Sequence, residues 1–301
     1  MVIKSRTESI QLKILRCLYK RSILTEKEIS NYLSLEKGFI GEQKFDRWLE
    51  GLSEGTLILS DLLLECNNTF FQIDTLIISQ TTIYLIEVKN YEGDFMIEKD
   101  RWYTVAGAEI KNPLLHLERS EGLLRKLLHV LGYKIPIEAY LIFVNPEFHL
   151  YQAPLKSSII FPTQLTRFIK KLNMIPSKVT IKHINLAEKL ISLHSNHYSF
   201  IRLPDYNFEK IPKGITCQYC HSYLNKHDTF TLVCNECNKK ETIIVAVLRS
   251  VEEFKILFPE KRVTIITIYD WCKIIDSKKT IKRILATNYK QIGHGRSSYY
   301  I

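Results

Sequence analysis

The sequence contains no apolar run approaching 18 residues, so nothing in it reads as a membrane-spanning helix. Its opening, MVIKSRTESI, carries charges but no apolar signal region and no small-residue cleavage site. A cytoplasmic protein with reduced thiols is therefore the expectation. Internal repeats and low-complexity tracts are also absent. Acids are scarce relative to bases: 32 Asp and Glu stand against 42 Lys and Arg, a net charge of +10 with a pI near 9.1. That imbalance favours a polyanionic partner, either nucleic acid or an acidic membrane surface. Its distribution favours nucleic acid, because residues 273–301 hold seven Lys or Arg against one acid, Asp276. What remains is ordinary for a globular chain. With 46% hydrophobic residues over 301 positions, there is material for one large domain or two to three small ones.

Residues 70–90 read FFQIDTLIISQTTIYLIEVKN. Two β-branched runs, Phe70 to Ile78 and Thr82 to Val88, flank a polar SQTT, which predicts a β-hairpin. The side-chain period of two puts Gln72, Asp74 and Leu76 on one face of the first strand, and Leu85, Glu87 and Lys89 on one face of the second. A symmetric loop centred on Gln80 and Thr81 sets Asp74 directly across from Glu87, with Cβ atoms roughly 4.5–5.5 Å apart. Two carboxylates so close repel unless a cation or a shared proton lies between them, and their oxygens suit magnesium or manganese. Lys89 would stand beside that ion, placed to orient or help deprotonate the water used in phosphodiester hydrolysis. The same charges on an exposed hairpin would be an ordinary salt-bridged surface, since a Glu-x-Lys triplet occurs about once by chance in a chain this long. The apolar residues argue otherwise. Phe71, Ile73, Ile77, Tyr84, Ile86 and Val88 fall on one face, and Leu76, Ile78, Ile83 and Leu85 accompany the charges on the other. A strand pair buried on both sides carries charge only for a purpose.

Three separated segments in order, GFIGEQKF, FQIDTLII and YLIEVKNYEGDF, resemble the NERD (nuclease-related) domain, a branch of the PD-(D/E)XK nuclease superfamily. The resemblance covers roughly residues 36–170 and implies an α/β fold with a restriction-endonuclease-like mixed sheet flanked by helices. It also implies Asp74 and Glu87 as ligands of a catalytic Mg2+ or Mn2+, Lys89 as the catalytic lysine, and Glu42 as an auxiliary carboxylate on the preceding helix. The family pattern carries Gln in the helix after the core strands, where this chain has His116 in NPLLHLERS. Read from the residues alone, Glu42 shares a helical face with Phe45 and Leu49. That places it either in a site or simply at the positive end of the helix dipole.

The surrounding pattern is consistent with such a sandwich. Residues 9–35 read as two helices broken near Ser22 to Leu24, the second capped by Thr25 and Glu28. Leu57 to Leu64 reads as a strand, and Phe95 to Glu98 with Trp102 to Val105 as a hairpin. Pro113 opens a helix of recurring leucines that Gly132 stops. His116 on it reads as a partly buried histidine, and Arg119 is able to meet a phosphate. Short strands at Ala139 to Val144 and Ser158 to Phe161 precede helical pattern at Thr163 to Leu172 and Leu186 to Leu193. His194 and His197 read as a solvated pair at the start of a linker.

Four of the seven cysteines form CQYC (217–220) and CNEC (234–237), with 13 residues between the knuckles. Two such pairs predict a closed tetrahedral zinc site of Cys217, Cys220, Cys234 and Cys237 in a zinc ribbon, with strands at Thr229 to Val233 and Glu241 to Val245. Cys17, Cys66 and Cys272 sit in apolar patterns and read as core. After the ribbon, helices over Val251 to Phe258, Ile265 to Ile275 and Lys278 to Asn288 and a terminal SSYYI resemble a winged helix-turn-helix. Lys278, Lys279, Lys282 and Arg283 on the third helix, and Arg296 on the wing, are the candidate phosphate contacts, with a basic protein-binding cap as the alternative.

The expected organisation is a helical extension (1–35), a nuclease-like domain (36–195), a linker (196–213), a zinc ribbon (214–247) and a winged-helix-like domain (248–301). The expected function is a magnesium- or manganese-dependent nuclease acting on DNA, endo or exo, with structural zinc and no membrane partner. The alternative is a DNA-binding or regulatory adaptor whose nuclease centre holds metal weakly or not at all.

Overall fold

The computed structural model describes residues 1–52, 55–155, 157–175, 177–195 and 203–301. In chain order the elements begin β1 (Val2–Lys4), α1 (Ile10–Lys20), α2 (Glu26–Leu49), β2 (Leu57–Cys66), β3 (Thr69–Ile78) and β4 (Ile83–Lys89). There follow β5 (Gly93–Glu98), β6 (Arg101–Thr104), β7 (Glu109–Ile110), α3 (Pro113–Val130), β8 (Ile137–Phe143), β9 (Phe148–Tyr151), β10 (Ile159–Ile160), α4 (Leu165–Met174) and α5 (Ile181–Ser192). The last stretch holds β11 (Leu224–Lys226), β12 (Thr231–Cys234), β13 (Lys240–Thr242), α6 (Ile243–Leu257), α7 (Ile265–Cys272), α8 (Lys278–Asn288), β14 (Gln291–Ile292) and β15 (Tyr299–Tyr300). They form two compact units: Met1–Thr7 with Ser34–Phe200, and Glu8–Leu33 with Ile201–Ile301. Among the described residues no helix is long and apolar enough to cross a membrane.

The first unit is an α/β sandwich around a mixed sheet of order β1-β2-β3-β4-β8-β10. β2, β3 and β4 run antiparallel in sequence, whereas β1, β8 and β10 join in parallel. One face packs leucines of α3 and α5, including Leu117, Leu124, Leu128, Leu186 and Leu190, against Leu57, Leu59, Leu76 and Leu85. The other packs Phe45 and Leu49 of α2 and Phe168 and Leu172 of α4 against Ile58, Ile77, Ile86 and Ile142. A second sheet of order β7-β6-β5-β9 extends this unit.

The hairpin register is the expected one: Thr75 pairs Ile86, Leu76 pairs Leu85, and Ile78 pairs Ile83. The expected alternation, however, breaks in the middle of β3. Phe71 and Ile73 face the same core as Leu76 and Ile78, while Ile77, Tyr84, Ile86 and Val88 face the opposite one. The cause lies in β2, where Asp61 adopts a left-handed backbone (φ 54°) and the ladder skips the pair opposite Asp74. Each strand therefore changes its inward phase by one residue, β2 from Leu57 and Leu59 to Leu62 and Leu64. A one-residue phase change flips every side chain beyond it.

The second unit holds the ribbon sheet β11-β12-β13, the hairpin β14-β15 and helices α1, α6, α7 and α8. Its boundaries differ from those expected. β13 ends at Thr242, whose hydroxyl caps α6, because Ile243, Ala246, Val247, Ser250, Val251 and Phe254 are buried at helical rather than strand spacing. The ribbon and the helices share one core, in which Cys217, Leu232 and Cys234 join Val247, Phe254, Trp271 and Ile281. Residues 1–35 are not a separate extension: β1 is an edge strand of the first sheet, and Ile14, Cys17 and Leu18 of α1 belong to the second unit's core. Arg21, just past α1, is buried against Glu253 (Nη2 to Oε2 2.7 Å) with its guanidinium 3.8 Å above the Trp271 ring. Part of the expected linker is also core, since Phe208 and Ile211 are buried. Its first residues, 196–202 with His197, lie outside the described residues.

Candidate functional site

The centre of the first unit is assembled by β3, β4, α2 and α3. Beyond the pair Thr75–Ile86, the same register brings Asp74 and Glu87 onto neighbouring strands. Asp74 accepts the Val88 N–H through Oδ2 at 2.8 Å. Glu87 Oε1 takes Lys89 Nζ at 2.6 Å and His116 Nδ1 at 2.8 Å. Among the described residues no hydrogen bond engages Asp74 Oδ1 or Glu87 Oε2, so each strand retains one free carboxylate oxygen. That is the donor set a hard divalent ion takes. His116 stands on the first turns of α3, which Asn112 caps and Pro113 opens.

Helix α2 approaches closely because of Gly41. A Cβ at that position would lie 2.5 Å from Asn90 Cβ, just past β4, so only glycine lets the helix sit there. The close approach brings in Glu42, the next residue. Glu42 meets Arg6 Nη1 at 2.5 Å, and Arg6 also forks onto Asp46 (Nε to Oδ2 2.8 Å, Nη2 to Oδ1 3.0 Å). The same guanidinium donates to the Asp74 carbonyl at 3.0 Å and to Thr75 Oγ1 at 3.1 Å. Arg6 and Asp46 carry no local signal in the sequence, because their partners lie 36 to 69 residues from Arg6.

Burial and charge act in opposite directions on these groups. Desolvation, together with Glu87 and Glu42, pushes the Asp74 carboxyl well above the usual range. Glu87 is just as buried, but its bonds to His116 and Lys89 outweigh desolvation and hold it below that range. Desolvation keeps Glu42 raised despite Arg6. Burial works against the charge on Lys89, yet Glu87 and Asp74 hold its pKa above the ordinary lysine value. Neighbouring carboxylates pushed apart in this way are typical of sites built to hold a cation or move a proton.

The second cluster is the ribbon's. Cys217, Cys220, Cys234 and Cys237 bring their Sγ atoms within 4.8 Å of one another, with Cys217–Cys237 at 3.6 Å and Cys220–Cys234 at 3.2 Å. These separations are too long for a disulfide, which needs about 2.05 Å. They approach the roughly 3.8 Å edge of a tetrahedron with 2.3 Å arms. The thiols therefore fit a single four-coordinate ion. Cys17, Cys66 and Cys272 are buried apart from them, and burial raises Cys17 and Cys272 to about 12.

Lys278, Lys279, Lys282 and Arg283 are all exposed on α8. None of the four forms an ion pair among the described residues, although Lys278 lies 5.3 Å from the Tyr269 ring. The Arg296 side chain lies outside the described residues. His194 is not a solvated linker residue: its Nδ1 accepts the Leu63 N–H at 3.0 Å, which fixes the end of α5 against β2.

Residues 37–144 match the family model of the nuclease-related domain, NERD. No curated protein and no solved structure matches the chain.

Proposed function

We propose that the NERD domain carried by this chain is the catalytic part of a magnesium- or manganese-dependent nuclease that hydrolyses phosphodiester bonds of DNA. The observation that carries this reading is the pair Asp74 and Glu87, buried on adjacent strands, each with one free oxygen, and Lys89 against Glu87. Asp74 and Glu87 would hold the divalent ion, with Glu42 as an auxiliary carboxylate. Such an ion supplies Lewis-acid polarisation of the phosphoryl group and a lowered pKa for water. Lys89, kept protonated by Glu87 and Asp74, orients water and offsets the charge that develops on the attacked phosphate. In the second unit the four thiols hold a structural zinc, and α8 with Lys278, Lys279, Lys282, Arg283 and the following Arg296 contacts DNA phosphates. The succession α6, α7, α8 and a short hairpin supports reading that segment as a winged helix.

One observation favours the adaptor reading. Arg6 on Glu42, and Lys89 on Glu87, already compensate part of the negative charge without a metal. A cleavage assay decides between the two. Linear, circular and single-stranded DNA are incubated with magnesium or manganese and the wild-type chain, beside Lys89→Ala purified identically. The nuclease reading expects cleavage by wild type that falls at least a hundredfold in the variant. Equal activity in both, or none in either, removes the reading.

A further inference from the structure

A groove of about 440 Å³ opens beside the centre of the first unit, walled on one side by α3 and on the other by the β2–β3 turn and the start of β3. Its polar lining is Asn68, Thr69, Gln72, His116, Arg119 and Ser120, with no carboxylate among the lining residues. His116 belongs to both places, because its ring reaches Glu87 Oε1 at 2.8 Å. Arg119 stands one turn further along α3, on the same face. It is exposed, and no carboxylate is paired with it among the described residues. The sequence explains this. Positions three and four away on either side are Leu115, His116, Gly122 and Leu123, whereas Arg125 on the same helix has Glu121 four residues before it and pairs with it.

From these observations we propose that the groove is a phosphate subsite, in which Arg119 receives a phosphate group of the nucleic-acid strand next to the one attacked. A planar guanidinium with free N–H groups matches a phosphate's oxygens by two parallel bonds. The Asn68 amide offers a further donor, whereas Gln72 Nε2 already gives one N–H to Asp61 Oδ1 at 3.2 Å and Thr69 Oγ1 donates to the Asn67 carbonyl. Because His116 links the groove to Glu87, a strand seated on Arg119 runs directly over the candidate metal ligands. The assignment rests on the nuclease reading for its position relative to the attacked bond, but not for the binding itself. The phosphate is either an internal phosphodiester or a terminal monoester, and the two are separable by substrate.

The test measures binding by the full-length chain in calcium, so that it does not depend on turnover. Fluorescence anisotropy is recorded across a salt series on single strands bearing a 5′-phosphate, a 3′-phosphate or hydroxyl ends, and on a closed single-stranded circle. Arg119→Ala is expected to weaken binding about tenfold and to lower the slope of log affinity against log salt by about 0.7. Arg119→Lys should keep the slope while losing part of the affinity, since it retains charge without the planar fork. Arg125→Ala removes an equal charge from the same helix and should change neither. An Arg119 effect present on the circle identifies an internal phosphodiester, and one confined to a phosphorylated end identifies a terminal group. If Arg119→Ala matches Arg125→Ala on every substrate, or the wild type binds none of them, the subsite is wrong. An Arg119-dependent slope in a chain that never cleaves would retain the subsite and discard the nuclease. Cleavage with an unchanged slope and KM in Arg119→Ala would do the reverse.

Discussion

Two arginines near the start of the chain, Arg6 and Arg21, are buried in different units, and their surroundings show what each unit is built for. Arg21 has one carboxylate, Glu253, two carbonyls (Pro212 and Gly214) and the face of Trp271. Its charge is balanced one to one within an apolar core. Arg6 has two carboxylates, Glu42 and Asp46, and its field also acts on Asp74, which in turn lies against Glu87. There, buried acids outnumber the cations that Arg6 and Lys89 provide. A balanced pair fixes a packing arrangement, whereas carboxyl groups in excess of their cations match the donor set proposed for a divalent ion.

Removing the zinc proposed for the ribbon should have the largest effect on this contrast. Zinc in such sites contributes about 10–16 kcal/mol of apparent binding free energy at neutral pH. Because Cys217 and Cys234 are part of the core that holds Arg21, a chelator is expected to open the whole second unit. Hydrogen exchange should show protection lost in α6, α7 and α8, and elemental analysis of the purified chain should give one zinc. Folded protein without zinc would break the assignment.

Next in size is the balanced pair. Glu253→Gln or Arg21→Met leaves one buried charge alone and should cost about 3–5 kcal/mol, read from denaturant unfolding of the second unit. Replacing both at once, Arg21→Met with Glu253→Leu, should recover most of that loss. Arg6→Met is expected to behave differently. It leaves the partly buried Glu42 and Asp46 without their cation, so the metal-free protein loses about 1–3 kcal/mol, yet magnesium or manganese should restore a measurable part. Metal rescue of Arg6→Met alone sharpens the contrast. Equal rescue of both variants, or of neither, would collapse it.

These differences also mark what the sequence discloses. The register of the hairpin is legible because strands flanking a short polar loop have few ways to pair, and the ribbon is legible because two knuckles need only spacing to meet. Gly41 beside Glu42 explains why the helix can approach, although only the structure shows that Asn90 occupies the space. The broken alternation at Asp61 and Asp74 is visible in hindsight, as apolar residues at 57 and 59 that resume at 62 and 64. Neither buried arginine is legible. Arg21 finds Glu253 across 232 residues, and such contacts depend on the tertiary fold rather than on any local pattern. For the same reason the sequence divides the second unit into an extension, a ribbon and a helical domain, where the structure has one core.

The smallest expected effect concerns affinity rather than stability, and it extends the comparison to the surface. The first unit concentrates buried acids, whereas α8 of the second presents four exposed cations without ion pairs among the described residues. Deleting residues 249–301 would not isolate their contribution, since most of α6 and all of α7 and α8 lie there and supply the core around the ribbon cysteines. Substituting Lys278, Lys279, Lys282 and Arg283 with Gln keeps that core, because Ile281, Ile284 and Leu285 are the residues α8 buries. If each cation neutralises one duplex phosphate, the slope of log affinity against log salt falls by about 0.9 for each contact removed. A quadruple variant should therefore lose most of the salt dependence that belongs to the second unit, with its melting temperature and zinc content unchanged. An unaltered slope would mean that α8 faces a protein partner, and delivery of DNA would then rest on the first unit.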